Sequence, residues 1–219
     1  TYTHGKYGIV QVMSELTEHF LYGICTLKGH KLINKYKEIT EEEEWGESKY
    51  NSAYSISKYM AEMEVWRGMG EGLNAAIVNP GIILGPGTGN DLSNQLIKMV
   101  YKGFPFYAKG INAWVDVADV VKAMTMLMSS QVKDERYILS AGNYSYKEIF
   151  TMMAEALGKK PPSIYASPFM TNIAWRLIAL KKATIGSEAI ITRETANNSN
   201  TISNYNNQKF IAAFPEFSY

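Results

Sequence analysis

Residues 73–81, Leu-Asn-Ala-Ala-Ile-Val-Asn-Pro-Gly, form the stretch that decides the fold. The apolar run followed by Pro80-Gly81 predicts a buried strand that ends in a turn. A helical pattern of apolar residues precedes it, beginning near Ser52 and ending at Gly70 and Gly72. Because a helix followed by an apolar strand is the repeating unit of a parallel sheet, this part of the chain predicts the α/β class.

The same alternation extends in both directions along the chain. Downstream, the sequence predicts helices over 91–100, 117–128 and 145–157 and strands over 113–115 and 136–139, with Asp116 and Ser145 opening the last two helices. Upstream, it predicts a helix over 7–20 and a buried strand over 21–27. After Gly158, the run Lys159-Lys160-Pro161-Pro162 indicates a linker, and residues 169–180 are helical and apolar. We therefore predict one domain over residues 1–158 and a mainly helical lobe over residues 159–219.

Composition excludes several classes of protein. With 219 residues, 46% of them hydrophobic, the chain can bury a core. The net charge of +1 argues against a nucleic-acid or anionic membrane partner. One cysteine excludes an internal disulfide framework, and the three histidines have no spacing typical of metal ligands. No apolar run approaches the roughly 18 residues of a membrane span, and no signal peptide opens the chain, so we expect a soluble cytoplasmic protein.

Four consecutive glutamates, Glu41 to Glu44, precede Trp45. Consecutive carboxylates cannot converge on one ion, so a metal site is disfavoured. The run predicts a solvated loop or the beginning of a helix.

The spacing of Tyr54 and Lys58 points to chemistry. Residues four apart on a helix share a face, so the ammonium can lie near the phenol and favour the phenolate. Tyrosine has an ordinary pKa of about 10 and needs such help to exchange a proton near neutral pH. Alone, the pair is better explained by a partly buried tyrosine beside an extended lysine.

Two further segments favour the catalytic interpretation of the Tyr54–Lys58 pair. They are Val-Asn-Pro-Gly-Ile-Ile-Leu-Gly-Pro-Gly at 78–87 and Trp-Val-Asp-Val-Ala-Asp-Val-Val-Lys-Ala-Met at 114–124. With the YxxxK pattern at Tyr54 and Lys58, and in this order, the chain resembles the extended short-chain dehydrogenase/reductase superfamily. The similarity is to its NAD-dependent epimerase/dehydratase branch, which includes dihydroflavonol reductases. The resemblance covers residues 24–157 well and implies a Rossmann-like parallel sheet, followed by a helical substrate lobe.

The resemblance implies hydride transfer with NAD or NADP on a carbonyl compound or a nucleotide sugar. Tyr54 is similar to the general acid/base, and Lys58 to the lysine that assists it and binds the nicotinamide ribose. The segment Pro80-Gly81-Ile82 is similar to the turn at the nicotinamide end of the cofactor. Asp116 matches a position that is mainly structural, and Ala118 replaces an arginine that is frequent there, so no substrate contact is carried over to it. Thr26 is the hydroxyl nearest to the expected serine or threonine of the site.

Other family features have no counterpart. No unit of a strand, a glycine-rich turn and a helix in succession precedes Tyr54. The glycines at 85, 87 and 89 lack the third fingerprint glycine because residue 90 is Asn. We interpret that cluster as a loop over cofactor or substrate. The chain also begins with Thr1 rather than Met. We therefore expect a truncated chain whose sheet is incomplete on its N-terminal side, which binds dinucleotide weakly or not at all.

Two alternatives remain open. Ser55-Ile56-Ser57-Lys58 matches the S-x-x-K motif of penicillin-binding proteins, but the S-D-N and K-T-G motifs of that class are absent from the sequence. The other is a degenerate, non-catalytic member of the reductase family with a structural or interaction role, which leaves open whether the chain is an enzyme. An incomplete sheet would expose a strand edge, so a homo-oligomer is also expected.

Overall fold

The structure, a computed structural model, describes residues 38–43, 45–46, 53–87, 92–185, 196 and 199–219. The chain divides into two compact units, Thr1–Lys37 and Glu38–Tyr219. The first unit lies outside the described residues, and with it the helix predicted over 7–20 and the strand predicted over 21–27. The second unit contains all of the helices and strands assigned in the described residues.

Six helices are assigned in the described residues, most of them close to their predicted positions. They are α1 (Ala53–Gly70), α2 (Leu92–Tyr101), α3 (Val117–Met128), α4 (Tyr146–Ala156), α5 (Pro168–Ile185) and α6 (Gln208–Ala213). None of them is both long and apolar enough to cross a membrane.

Nine strands are assigned in the same part of the chain. They are β1 (Glu38–Ile39), β2 (Ala76–Pro80), β3 (Ile82–Leu84), β4 (Phe106–Tyr107), β5 (Ile111–Asp116), β6 (Glu135–Leu139), β7 (Gly142–Ser145), β8 (Ile164–Tyr165) and β9 (Asn204–Tyr205). The pairs β2–β6, β3–β5, β1–β9 and β4–β8 are parallel. The pair β5–β7 is antiparallel, so the parallel sheet carries one antiparallel edge that the sequence patterns did not predict.

The predicted helix caps are present. Asp116 accepts a hydrogen bond from the Ala118 backbone N–H at 2.7 Å and so begins α3. Ser145 and Glu148 form a capping box, in which each side chain binds the backbone N–H of the other residue. These contacts are local in sequence, which is why the beginnings of α3 and α4 could be predicted.

The central strand β5 separates two hydrophobic clusters. Neighbouring side chains on a strand point to opposite faces, and Trp114 packs in one cluster while Val115 packs in the other. The Trp114 cluster contains buried residues of α2 and α4: Leu96, Val100, Ile149, Phe150 and Ala154. The Val115 cluster contains residues of α3, β6 and the C-terminal segment: Val120, Ala123, Leu127, Tyr137, Leu139, Phe210, Phe214 and Phe217. The sheet is thus covered on both faces, as in an α/β fold.

The C-terminal segment belongs to this core. The sequence patterns predicted a mainly helical lobe over 159–219 with no strand near its end, yet β9 pairs with β1. The helix α6 lies in this predicted lobe and places Phe210 against the Tyr137 ring of β6. The predicted α/β class with a Rossmann-like parallel sheet is confirmed, with the antiparallel edge and the buried C-terminal segment as additions. The domain boundary predicted at residue 158 stays a prediction.

Candidate functional site

Tyr54 and Lys58 lie together on the first turns of α1. Tyr54 is the second residue of the helix, and 66% of its surface is exposed. The Lys58 Nζ lies 5.8 Å from the centroid of the Tyr54 ring, a distance at which an ammonium is attracted to an aromatic ring. Ser57 donates a hydrogen bond from its Oγ to the Tyr54 carbonyl oxygen at 2.8 Å. The structure therefore brings the predicted acid/base and its cationic partner together, with the tyrosine accessible from solvent.

The residues Pro80, Gly81 and Ile82 form the junction between two strands. Pro80 ends β2, which pairs with β6, and Ile82 begins β3, which pairs with β5. Ligands of open α/β sheets bind beyond the carboxyl ends of strands where the strand connections diverge. Pro80–Gly81–Ile82 follows the carboxyl end of β2, and we call it the junction.

Gly81 is required for close packing at the junction. Its backbone N–H donates to the Leu139 carbonyl oxygen at 3.0 Å, which continues the pairing with β6. A Cβ at this position would lie 2.6 Å from both the Cβ and the carbonyl oxygen of Ala113. Because the chain passes so close to β5, any side chain here would force backbone apart, so glycine is the residue that fits.

Glu62 continues the helix face of Tyr54 and Lys58 by one more step of four residues. Its Oε2 accepts from the Asn79 Nδ2 at 3.2 Å, and Asn79 directly precedes the junction. Its Oε1 accepts from the Trp66 Nε1 at 3.2 Å and from the Arg136 Nη1 at 3.1 Å. The sequence interpretation missed Glu62, although the four-residue step from Tyr54 and Lys58 was available as a signal.

The Glu62 carboxylate is held in its ionised form. Burial raises its pKa, but hydrogen bonds from Trp66, Asn79 and Arg136 and the charge of Arg136 outweigh burial, so the pKa falls below its ordinary value. Glu62 is therefore a fixed negative charge at neutral pH, shared between α1, β2 and β6. It has no proton to offer near neutrality, so its role is that of an acceptor.

Arg136 also holds the acidic run, which corrects one expectation. Its guanidinium donates to the carbonyl oxygens of Glu41 and Glu43. The Glu41 side chain is 9% exposed, and its Oε1 accepts from the Ile138 backbone N–H at 2.8 Å. The prediction that the whole run is solvated was thus wrong for Glu41. Its partners lie on β6, far away in sequence, where no local pattern could indicate them.

The glycine cluster after β3 is described only over Gly85 to Gly87. The Ser93 hydroxyl of α2 accepts from the Gly85 N–H and donates to the Gly85 carbonyl oxygen, both at 3.1 Å. A Cβ at Gly85 would lie 2.3 Å from the Val117 Cγ1, so the end of β3 packs directly on the beginning of α3. Gly89 and Thr26 lie outside the described residues, so a loop over the ligand and a hydroxyl from Thr26 stay predictions.

Several known proteins are similar to this chain in sequence or in fold. Tetraketide alpha-pyrone reductase 2 of Arabidopsis thaliana is 29% identical over 123 residues, which are 51% of this chain and 37% of the relative. The crystal structure of gox2253 superposes with a TM-score of 0.61 at 25% identity and covers 81% of this chain and 55% of that one. DesIV, a dTDP-glucose 4,6-dehydratase from Streptomyces venezuelae solved with NAD and TYD bound, gives a TM-score of 0.58 at 13% identity, covering 84% of this chain and 50% of that one.

The chain thus spans between about a third and about half of the length of these proteins. The DesIV likeness, at its low identity, concerns the fold alone. The model of the NAD dependent epimerase/dehydratase family matches residues 20–140, more than half of the chain, and this range includes the Tyr54–Lys58 pair, Glu62 and the junction. The chain belongs to the NAD dependent epimerase/dehydratase family.

Proposed function

We propose that the chain takes part in NAD(P)-dependent hydride transfer to or from an oxygen-bearing carbon, with Tyr54 as general acid/base and Lys58 as its electrostatic partner. The observation that carries the proposal is the Lys58 Nζ at 5.8 Å from the ring of a solvent-accessible Tyr54. A phenol needs a nearby positive charge to exchange protons near neutral pH. The four-residue spacing on α1 places the Lys58 ammonium beside the Tyr54 ring. The NAD dependent epimerase/dehydratase family makes hydride transfer the reaction to consider.

In the reducing direction, the Tyr54 Oη gives its proton to the substrate oxygen. A reduced nicotinamide held by Lys58 and the junction would supply a hydride to the carbonyl carbon. Tyr54 protonates the oxygen, which takes the electron pair of the broken C–O π bond. The Lys58 ammonium stabilises the phenolate that remains. Because Tyr54 is exposed, solvent can return the proton, and the reverse sequence oxidises an alcohol.

The donors present fit the nicotinamide half of a dinucleotide. The Lys58 ammonium and the Tyr54 hydroxyl can bind ribose hydroxyls, and the junction offers backbone beside them as the resemblance implies. A cofactor held by these groups would supply the hydride, and Tyr54 would supply the proton.

Two substrate classes fit this proposal, a small carbonyl compound and a nucleotide sugar. The similarity to the reductase from Arabidopsis thaliana supports the first, and the resemblance to the NAD dependent epimerase/dehydratase family supports the second. We propose in addition that the protein is cytoplasmic and forms a homo-oligomer. Its partners include neither nucleic acid nor a membrane. The division into a domain over residues 1–158 and a lobe over residues 159–219 is part of the proposal.

The test is turnover at millimolar NADH or NADPH, followed by the loss of reduced-nicotinamide absorbance. Aromatic and aliphatic ketones form one set of substrates, and UDP- and dTDP-sugars, followed by chromatography of the sugar product, form the other. We expect turnover with at least one member of one set. Absence of turnover in both sets, with a folded protein by circular dichroism, would contradict the proposal and favour a non-catalytic member of the family.

We further propose that the 219-residue chain binds free NAD and NADP weakly. Much of the affinity for a dinucleotide comes from pyrophosphate oxygens that meet backbone N–H groups at a helix N-terminus. The sequence before Tyr54 contains no glycine-rich fingerprint for such a contact. If each charge-assisted hydrogen bond contributes about 1.5–3 kcal/mol, losing two of them moves a dissociation constant of about 1 μM to about 0.1–20 mM. Isothermal titration with both oxidised cofactors measures this, and a micromolar dissociation constant would show that the phosphate site has been misplaced.

A further inference from the structure

Glu62 connects the Tyr54–Lys58 helix face to the junction. Eight residues separate it from Tyr54, which is about 12 Å along a helix. Its side chain is largely buried, and its hydrogen bond to Asn79 is made by the residue that directly precedes Pro80. One carboxylate therefore ties the helix of the proposed acid/base to the strand end of the proposed cofactor contact.

The connection is fixed because Glu62 and Arg136 each have several partners. Both Glu62 oxygens are used, Oε2 by Asn79 and Oε1 by Trp66 and Arg136. Arg136 is itself fixed by the backbone carbonyls of Glu41 and Glu43. Within the described residues, no buried side-chain polar atom lacks a hydrogen-bond partner, so no free group competes for this carboxylate.

We propose that Glu62 is a positioning residue: it fixes α1 against Asn79 so that Tyr54 and Lys58 keep their register with the junction. This inference rests on the proposed function, since it assigns the register a role in hydride transfer. Misplacing reacting groups by about 1 Å can lower a rate by about 100-fold without changing the groups themselves. A purely structural ion pair would instead affect only the free energy of unfolding.

The first experiment uses Glu62→Gln, Asn79→Asp and the double variant. Gln has the shape of Glu but no charge, so the ion pair with Arg136 is lost, and its amide NH₂ cannot accept the hydrogen bond that Asn79 Nδ2 or Arg136 Nη1 donates to the carboxylate. The carboxylate introduced at position 79 lies against the Glu62 carboxylate in the single variant. In the double variant, the amide at position 62 donates to the carboxylate at position 79, so the hydrogen bond returns with its direction reversed.

We expect each single variant to lower kcat by about 10-fold to 100-fold with little change in the KM of the substrate. The double variant should recover to within about threefold of the unsubstituted chain. Glu64→Gln is the matched control, because Glu64 is exposed on the same helix and pairs with Arg67. It should leave kcat unchanged. Unchanged kcat in Glu62→Gln, or a double variant that loses activity as the product of the two singles, would overturn the inference.

A second measurement separates this inference from the proposed function. NMR of ring-labelled tyrosine follows Tyr54 directly among the 15 tyrosines, with Tyr54→Phe identifying its resonance. We expect Glu62→Gln and Asn79→Ala to move the Tyr54 resonance, and Glu64→Gln to leave it in place. Asn79→Ala keeps the Glu62–Arg136 pair and decides the question if Glu62→Gln does not fold. Absence of turnover in the unsubstituted chain would contradict the proposed function. A Tyr54 resonance that does not move in Glu62→Gln and Asn79→Ala would overturn the positioning role.

Discussion

Tyr54→Phe is expected to lower the rate of hydride transfer by about 10²–10⁴-fold, the usual contribution of a general acid/base. Phenylalanine keeps the ring under the Lys58 Nζ and removes only the hydroxyl that gives and takes the proton. Because Tyr54 is on the surface of α1, the free energy of unfolding should change by no more than about 0.5 kcal/mol. The measurement is kcat at millimolar cofactor, with circular dichroism to show that the helix content is unchanged.

Tyr59→Phe is the matched control for this prediction. Tyr59 lies on the same helix, and its ring stacks on Trp45 with centroids 4.5 Å apart. The substitution keeps that stacking and removes a hydroxyl that the mechanism does not use. We expect its turnover to equal that of the unsubstituted chain. Turnover of Tyr54→Phe within about threefold of that control would remove Tyr54 from the mechanism.

The sequence predicted those features of the site that depend on local spacing. Residues four apart on a helix must share a face, so the Tyr54–Lys58 pair followed from the helical pattern alone. The caps at Asp116 and Ser145 followed in the same way, since each binds a backbone N–H within three residues. In this chain, then, elements whose contacts are local were predicted with their boundaries nearly correct.

Features that depend on distant contacts were not predicted. Glu41 is buried because β6 offers it the Ile138 N–H and the Arg136 guanidinium, both more than ninety residues away. The strand β7 has few apolar residues and exists because it pairs with β5 in an antiparallel register. Glu62 combines both situations. Its position on the helix face of Tyr54 and Lys58 could be predicted from the spacing, but its partners Asn79 and Arg136 could not.

The C-terminal segment contains a local pattern that the sequence analysis overlooked because the pattern is short. Phe210, Phe214 and Phe217 recur at steps of four and three, which is the period of a buried helix face. An asparagine-rich stretch before them obscured the pattern. In the structure, Phe210 is 0% exposed, and its ring lies 5.0–5.7 Å, centroid to centroid, from the rings of Phe217, Phe214 and Tyr137.

Polar contacts also hold the segment around this aromatic cluster. The Lys122 Nζ donates to the Ser218 carbonyl oxygen at 3.0 Å, and the Ser140 N–H donates to the Tyr219 Oη at 3.1 Å. The Asn207 Nδ2 donates to the Ser140 carbonyl oxygen at 2.5 Å. The chain end is therefore attached both to α3 and to the end of β6, and it closes the sheet face to which Val115 contributes.

Phe210→Ala is accordingly expected to destabilise the protein by about 3–5 kcal/mol, the cost of removing a buried aromatic ring from a packed core. Phe169→Ala is the control: it is the same substitution, but on a side chain of α5 that is 74% exposed, and it should cost no more than about 0.5 kcal/mol. Urea denaturation with a shared slope gives both values. The comparison matters for the site as well, because Phe210 packs on Tyr137, one residue from Arg136, which holds Glu62. If Phe210→Ala cost no more than the control, the C-terminal segment would not be part of the core that fixes β6.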